Sequence, residues 1–185
     1  MLKQKKQSLQ KLISKMTPRQ QSVCMGIISD FKSKFDKIPG SLHNHQAWIG
    51  GYRDHVEEIL NIACVVYTAL NKKRKLDFTL GESLFVLFLH DLDKLYRYEI
   101  CSDGSIISRD YCSSNYLKSI RQMLHKKYKY VMRNEELDAL KYVHGEGDSY
   151  SSKKRVMHPL AALVHCADII SARIWYNKGQ DGTYW

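Results

Sequence analysis

Six consecutive large apolar residues, Leu84 to Leu89, run directly into His90-Asp91, with Lys94 three residues later. Such a run belongs inside a core, and Thr79-x-x-Glu82 ahead of it offers a capping box, so the pattern predicts a central helix. Upstream, Val56, Ile59, Leu60, Ile62, Ala63, Val66 and Ala69 describe a long amphipathic helix over Tyr52–Leu70, with His55 on its first turns. Before that, Thr17-Pro18 supplies a cap and an N1 proline. Val23, Ile27, Ile28, Phe31 and Phe35 continue this helix to about Lys37, where Ile38-Pro39-Gly40 stops it. Residues 1–16 place Leu2, Leu9, Leu12, Ile13 and Met16 at helical spacing, which suits a short basic helix or a frayed arm.

Downstream of Lys94 the period changes. Tyr96–Ile100, a Ser102-Asp103-Gly104 turn and Ile106–Ser108 read as a small hairpin or irregular excursion beside the His-Asp edge, well placed to cover it. Helical spacing resumes over Ser114–Tyr128 and from Asn134, read as a cap, to Val143. His158-Pro159 opens the last helix, through Leu160, Leu163, Val164, Ala167, Ile169, Ile170 and Ile174. The expected fold class is all-α, with a hairpin-like insert after the central helix.

At 185 residues and 44% apolar content, the chain is sized for one domain with a real core. It shows no apolar run of membrane-span length and no secretory leader, so a soluble, cytoplasmic protein without membrane partners is expected. The five cysteines form no C-x-x-C pair; Cys24, Cys64 and Cys166 fall in apolar helical stretches, where a thiol acts as a small hydrophobe. Neither a disulfide framework nor a zinc–thiolate site is indicated.

The net charge of +10 favours anionic partners, and residues 1–29 hold six Lys/Arg with no Asp or Glu. Further basic clusters are Lys72–Lys75, Lys126-Lys127 with Lys129, and Lys153–Arg155, each of which taken singly also suits a solvated surface. No P-loop, Rossmann glycine pattern or G-x-S-x-G elbow is present.

An isolated His-Asp pair ordinarily reads as a core histidine bonded to a capping aspartate. Here an imidazole and a carboxylate at a buried helix end also suit a divalent metal, with Lys94 about one turn on. Asp168 sits in so apolar a helix that its charge needs a partner or a metal, and His165 shares its face. His144 ends a helix before Gly145, where a histidine can also serve the helix dipole.

Taken together, His55, His90-Asp91 and Asp168, in that order on three helices, resemble the metal-ligand signature of the HD-domain superfamily of metal-dependent phosphohydrolases. The resemblance spans roughly Ser41 to Arg173. It implies an all-α HD helical bundle over 41–175, a basic helical extension over 1–40 packed on it, and a tail over 176–185. It further implies His55, His90, Asp91 and Asp168 as metal ligands, with Asp91, Lys94 and His144 in catalysis. His144 and His165 would serve a second metal or support the first, and Lys94, Arg155 and Arg173 would meet substrate phosphate. Asp93 stands where many members carry glycine, which adds a charge beside that phosphate. His45, Ala47, Trp48, Gly50 and Gly51 match a stretch found in the superfamily's 3′-to-5′ exoribonucleases, making His45 and Trp48 candidate substrate contacts; a structured loop with Trp48 packed beneath it is the other reading.

Two imidazoles and two carboxylates suit Mn²⁺, Fe²⁺, Ni²⁺, Co²⁺ or Zn²⁺, although Mg²⁺ can serve in turnover. The function implied is hydrolysis of phosphate ester or anhydride bonds in nucleoside mono- or triphosphates. Two alternatives stay open: a 3′–5′ exonuclease on single-stranded RNA or DNA, and a non-catalytic nucleotide- or nucleic-acid-binding regulator. A homo-oligomer is compatible with all three.

Overall fold

The computed structural model describes residues 6–109 and 116–175. The expected tail over 176–185, Cys112 and the start of the Ser114 helix lie outside the described residues. Among those described, the chain is all-α apart from one small antiparallel hairpin.

Helix α5 (Leu80–Leu89) is the axis of the core. Every residue from Ser83 to Leu89 is buried. Each large side chain so enclosed contributes roughly 1.5–3 kcal/mol, so a helix apolar on all sides is stable only with neighbours all around it. The expected capping box forms: the Thr79 hydroxyl accepts from the Glu82 N–H, and the Glu82 carboxylate accepts from the Thr79 N–H. Around α5 pack α4 (Gly51–Lys73), α8 (Asn134–Tyr142) and α9 (Pro159–Ile169), and α9 also contacts both α4 and α8. The amino-terminal helices α1 (Leu9–Ile13) and α2 (Pro18–Asp30) close another side, burying Leu9, Leu12, Ile13, Val23 and Ile27. Asn61 on α4 ties the arm down by bonding both the N–H and the carbonyl of Gln7, at 2.8 and 2.9 Å.

Several boundaries differ from the sequence expectation. The helix predicted to reach Lys37 breaks at Phe31 (φ −112°, ψ 20°), and α3 (Lys32–Phe35) follows. The break lets two aromatics four residues apart point to different places. Phe31 meets the edge of Tyr96, while Phe35 enters the core against Tyr52 and Phe88. Helix α4 extends to Lys73, so Lys72 and Lys73 complement its carboxyl-terminal dipole rather than beginning a loop. Arg133, not Asn134, holds the cap position of α8, because the buried Glu136 carboxylate reaches back to its N–H at 2.9 Å. Cys166 is exposed, unlike the buried Cys24 and Cys64.

After α5 the chain makes a tight turn into α6 (Lys94–Arg97), then the hairpin of β1 (Tyr98–Ile100) and β2 (Ile106–Ser108), paired as Tyr98↔Ser108, Glu99↔Ile107 and Ile100↔Ile106. Helix α7 (Tyr116–Tyr128) precedes α8. Directly after α9 the helix widens into a π turn over Ile170–Ile174, the kind of local irregularity frequent at functional sites. Among the described residues no helix is long and apolar enough to cross a membrane.

Candidate metal centre

Three elements deliver polar side chains to one end of the core. His55 comes from the first turns of α4, His90 and Asp91 from the end of α5, and Asp168 from the last turn of α9; all four are buried. The His55 and His90 Nε2 atoms stand 3.3 Å apart, and Asp91 Oδ2 lies 3.2 Å from His90 Nε2 and 3.7 Å from His55 Nε2. Asp168 Oδ1 approaches the same nitrogens at 3.4 and 3.5 Å. Atoms bound at about 2.1 Å to one ion stand roughly 3.0–3.4 Å apart in tetrahedral or octahedral arrangements. The 3.2 and 3.3 Å separations fall in that range and the 3.7 Å one is slightly wider, so the three atoms could hold a shared metal after a small adjustment. Among the described residues these three form the group whose ligand atoms all lie within 4.8 Å of one another, and Asp168 flanks it.

The imidazoles face this point because their other nitrogens are occupied. His90 Nδ1 donates to the Leu87 carbonyl at 2.7 Å, one turn back on α5. His55 Nδ1 bonds Ser171 Oγ at 3.0 Å. Each ring thus presents Nε2 to the carboxylates, the orientation that metal-binding histidines take from outer hydrogen bonds.

The electrostatics are those of a site that holds positive charge. Burial alone would lower the His90 pKa, yet the Asp91 and Asp168 carboxylates outweigh it and hold the ring raised, at about 10. Burial dominates at His55, which is lowered. Asp168 is held far below the usual carboxylate range: burial opposes this, but the hydrogen bonds of His144 and His90 and the charge of His90 prevail. Asp91 is likewise lowered, against its burial, by the charges of His90 and Lys94. A proton on His90 therefore occupies the place that a divalent cation would take.

The centre opens into a cleft of about 270 Å³, lined by Asn44, His45, Lys94, His144, His165 and Arg173 together with Asp91 and Asp168. Lys94 is buried, with its ammonium on Asp91 Oδ2 and the Gly40 carbonyl, so its charge neutralises the carboxylate and ties the loop before α4 to α6. His144, with its side chain largely exposed, bonds Asp168 Oδ2 through Nδ1 at 3.2 Å and points Nε2 toward Asp91 Oδ1 at 4.0 Å. His165 Nδ1 donates to the Val143 carbonyl at 2.7 Å. His45 stands over His55, ring centroids 4.8 Å apart, and its pKa falls to about 4 through burial first and then the charges of His55 and Lys94. Arg173 sits exposed on the π turn.

Two sequence-predicted residues are not brought to the cleft. Arg155 is exposed on the loop before α9 and is not part of the cleft lining. Trp48 is half-buried and donates its indole N–H to Asp54 Oδ2 at 2.8 Å, which holds the ring against the outer face of α4. Conversely, Asn44 lines the cleft without any signal beyond its place beside His45. Ser171 and Glu58 stand behind His55 at positions that periodicity reads as ordinary helix. No protein-family model, curated protein or solved structure matches the chain.

Proposed function

We propose that the protein is a divalent-metal-dependent phosphohydrolase of the HD type, acting on phosphate ester or anhydride bonds of nucleotides. The observation that carries this reading is the buried His55, His90 and Asp91 cluster, flanked by Asp168, with both Nε2 atoms and a carboxylate oxygen converging beneath a cleft that also holds Arg173, His144 and Lys94. His55, His90, Asp91 and Asp168 would hold the ion, and nitrogen–carboxylate sites of this kind suit Mn²⁺, Fe²⁺, Co²⁺, Ni²⁺ or Zn²⁺. Such an ion supplies a water of lowered pKa and polarises a phosphoryl oxygen.

The side chains around it have separable duties. Asp91 turns one oxygen to the imidazoles and the other toward His144, so it can ligate and orient a water together. His144 bridges the outer carboxylate oxygens at the mouth of the cleft, within reach of a leaving oxygen that needs a proton. Arg173 supplies cationic charge to phosphate oxygens from the exposed side, an electrostatic role of the kind that phosphoryl transfer depends on. Lys94, already bonded to Asp91, stabilises the carboxylate and contributes long-range positive potential.

The net charge of +10 favours a second reading, an exonuclease on single-stranded RNA or DNA, since polyanions are attracted in proportion to the phosphates they present. One experiment separates the readings: the purified chain with Mn²⁺ is offered a nucleotide panel beside short single-stranded RNA and DNA, with Asp91→Ala as control. Phosphate release from free nucleotides, abolished by the substitution, supports the proposal. Stepwise shortening of oligonucleotides replaces it with the exonuclease, and metal uptake without turnover on either class leaves a binding protein.

A further inference from the structure

Gln46 is buried, yet its backbone adopts φ 43°, a left-handed conformation that costs a residue with a Cβ roughly 1–2 kcal/mol. Strain of this kind persists only where the surroundings impose it. Here they do: the Gln46 carbonyl accepts from the Gly40 N–H at 2.9 Å and passes so close to Gly51 that a Cβ there would stand 1.9 Å from it. The loop before α4 is folded back so that the Gln46 side chain enters the core behind His55.

There it meets a chain of hydrogen bonds whose polarity can be followed atom by atom. Glu58 Oε2 accepts from Gln46 Nε2 at 2.9 Å and also from the Ser171 hydroxyl. With its proton given to Glu58, Ser171 Oγ can only accept, and it does so from Gln46 Nε2 at 3.2 Å and from His55 Nδ1 at 3.0 Å. Gln46 Nε2 is committed to donation, so its Oε1 accepts from His45 Nδ1 at 2.9 Å. With Glu58 ionised, only one tautomer of each histidine satisfies the chain. A network that merely tied the loop to its helices would need no buried carboxylate; this one uses Glu58 to fix the direction of every bond.

We propose that Glu58, Ser171 and Gln46 form a hydrogen-bond relay that selects the Nδ1–H tautomers of His55 and His45, so that His55 keeps the Nε2 lone pair open toward the candidate metal centre. These are positioning residues from α4, the π turn and the folded-back loop. The relay's importance for metal uptake rests on the metal-centre reading, whereas the tautomer selection does not.

The test uses the full chain at about pH 8, where Glu58 is ionised, metal-free and labelled with ¹⁵N-histidine, whose ring shifts report tautomers directly. His55 in the unsubstituted protein carries its proton on Nδ1. Ser171→Ala moves His55 to the Nε2–H form or to a mixture, with the far-UV spectrum unchanged. Glu58→Leu provides the second variant: it removes the acceptor, frees the Ser171 proton to turn toward His55, and shifts the tautomer the same way. An unchanged His55 tautomer in a folded variant, or an Nε2–H ring in the unsubstituted protein, overturns the relay. A Co²⁺ titration read by visible absorption is the second arm, where Ser171→Ala weakens binding about 10–100-fold. If the unsubstituted protein takes up no Co²⁺, the metal-centre reading fails, and the relay is still judged by the tautomers alone.

Discussion

Glu58 offers a pH signature because burial pushes its carboxyl up from 4.5 to about 7, against the hydrogen bonds from Ser171 and Gln46. A carboxyl whose folded pKa lies above its unfolded value binds its proton more tightly when folded. Its contribution to stability is therefore complete below about pH 4.5 and is lost as pH rises through about 7. Glu58→Gln keeps the shape and removes the titration, so in urea unfolding of metal-free protein the variant gains stability relative to the unsubstituted chain from pH 5 to pH 8. Parallel pH profiles for the two would show that Glu58 does not titrate in this window. Gly51 makes a second residue-scale case. With a Cβ 1.9 Å from the Gln46 carbonyl, both partners are backbone and neither can swing aside. Gly51→Ala should cost about 3 kcal/mol or more in urea unfolding, and an unchanged midpoint would mean that the loop does not fold back as described.

The central helix shows what holds an element in place. Its cap and its burial can be compared directly, since a capping Thr is ordinarily worth about 1 kcal/mol and a buried Leu 2–5 kcal/mol. Leu87 is fully enclosed, and its carbonyl also receives His90 Nδ1. Leu87→Ala is thus expected to destabilise several-fold more than Thr79→Ala in chemical unfolding, and equal losses would place the helix under the control of its cap. Elements of this kind were the legible ones. Periodicity locates α4, α5 and α9, turn residues locate the hairpin, and the apolar run before His90 marks where a polar pair must surface. The break at Phe31 and the cap at Arg133 are not legible in the pattern: Phe31 packs on Tyr96, far along the chain, and the Glu136 that reaches back to Arg133 is buried and held by Tyr130 and the distant Gln20. The same reason hides the residues behind His55. The Gly50-Gly51 pair announces a turn, but only the folded chain shows that the turn exists to bring Gln46 inward. It also separates His45, which reaches the cleft, from Trp48, which does not.

At the scale of the molecule, residues 55, 90 and 168 bring three long stretches of chain to one point, and that point joins α4, the end of α5 and α9. Without a metal, the proton on His90 and the ammonium of Lys94 are what balance two lowered carboxylates there. An ion that binds only when these helices are assembled adds its binding free energy to folding, about 2.7 kcal/mol at a concentration 100 times its dissociation constant. For a chain of this length each kcal/mol moves the midpoint by about 2–4 °C, so saturating Mn²⁺ should raise the thermal midpoint by roughly 5–10 °C. A chelator should reverse the shift. Asp168→Ala should abolish most of it while leaving the far-UV spectrum intact, because the helix that carries Asp168 is held mainly by Leu160, Leu163, Val164 and Ala167 in the core. The control lies in the direction of proton flow: uptake of the metal by His90 must release a proton, so calorimetric heats of binding should change with the ionisation enthalpy of the buffer. A midpoint indifferent to Mn²⁺, with no buffer-dependent heat, would mean that the proton and Lys94 are the only cations this cluster takes.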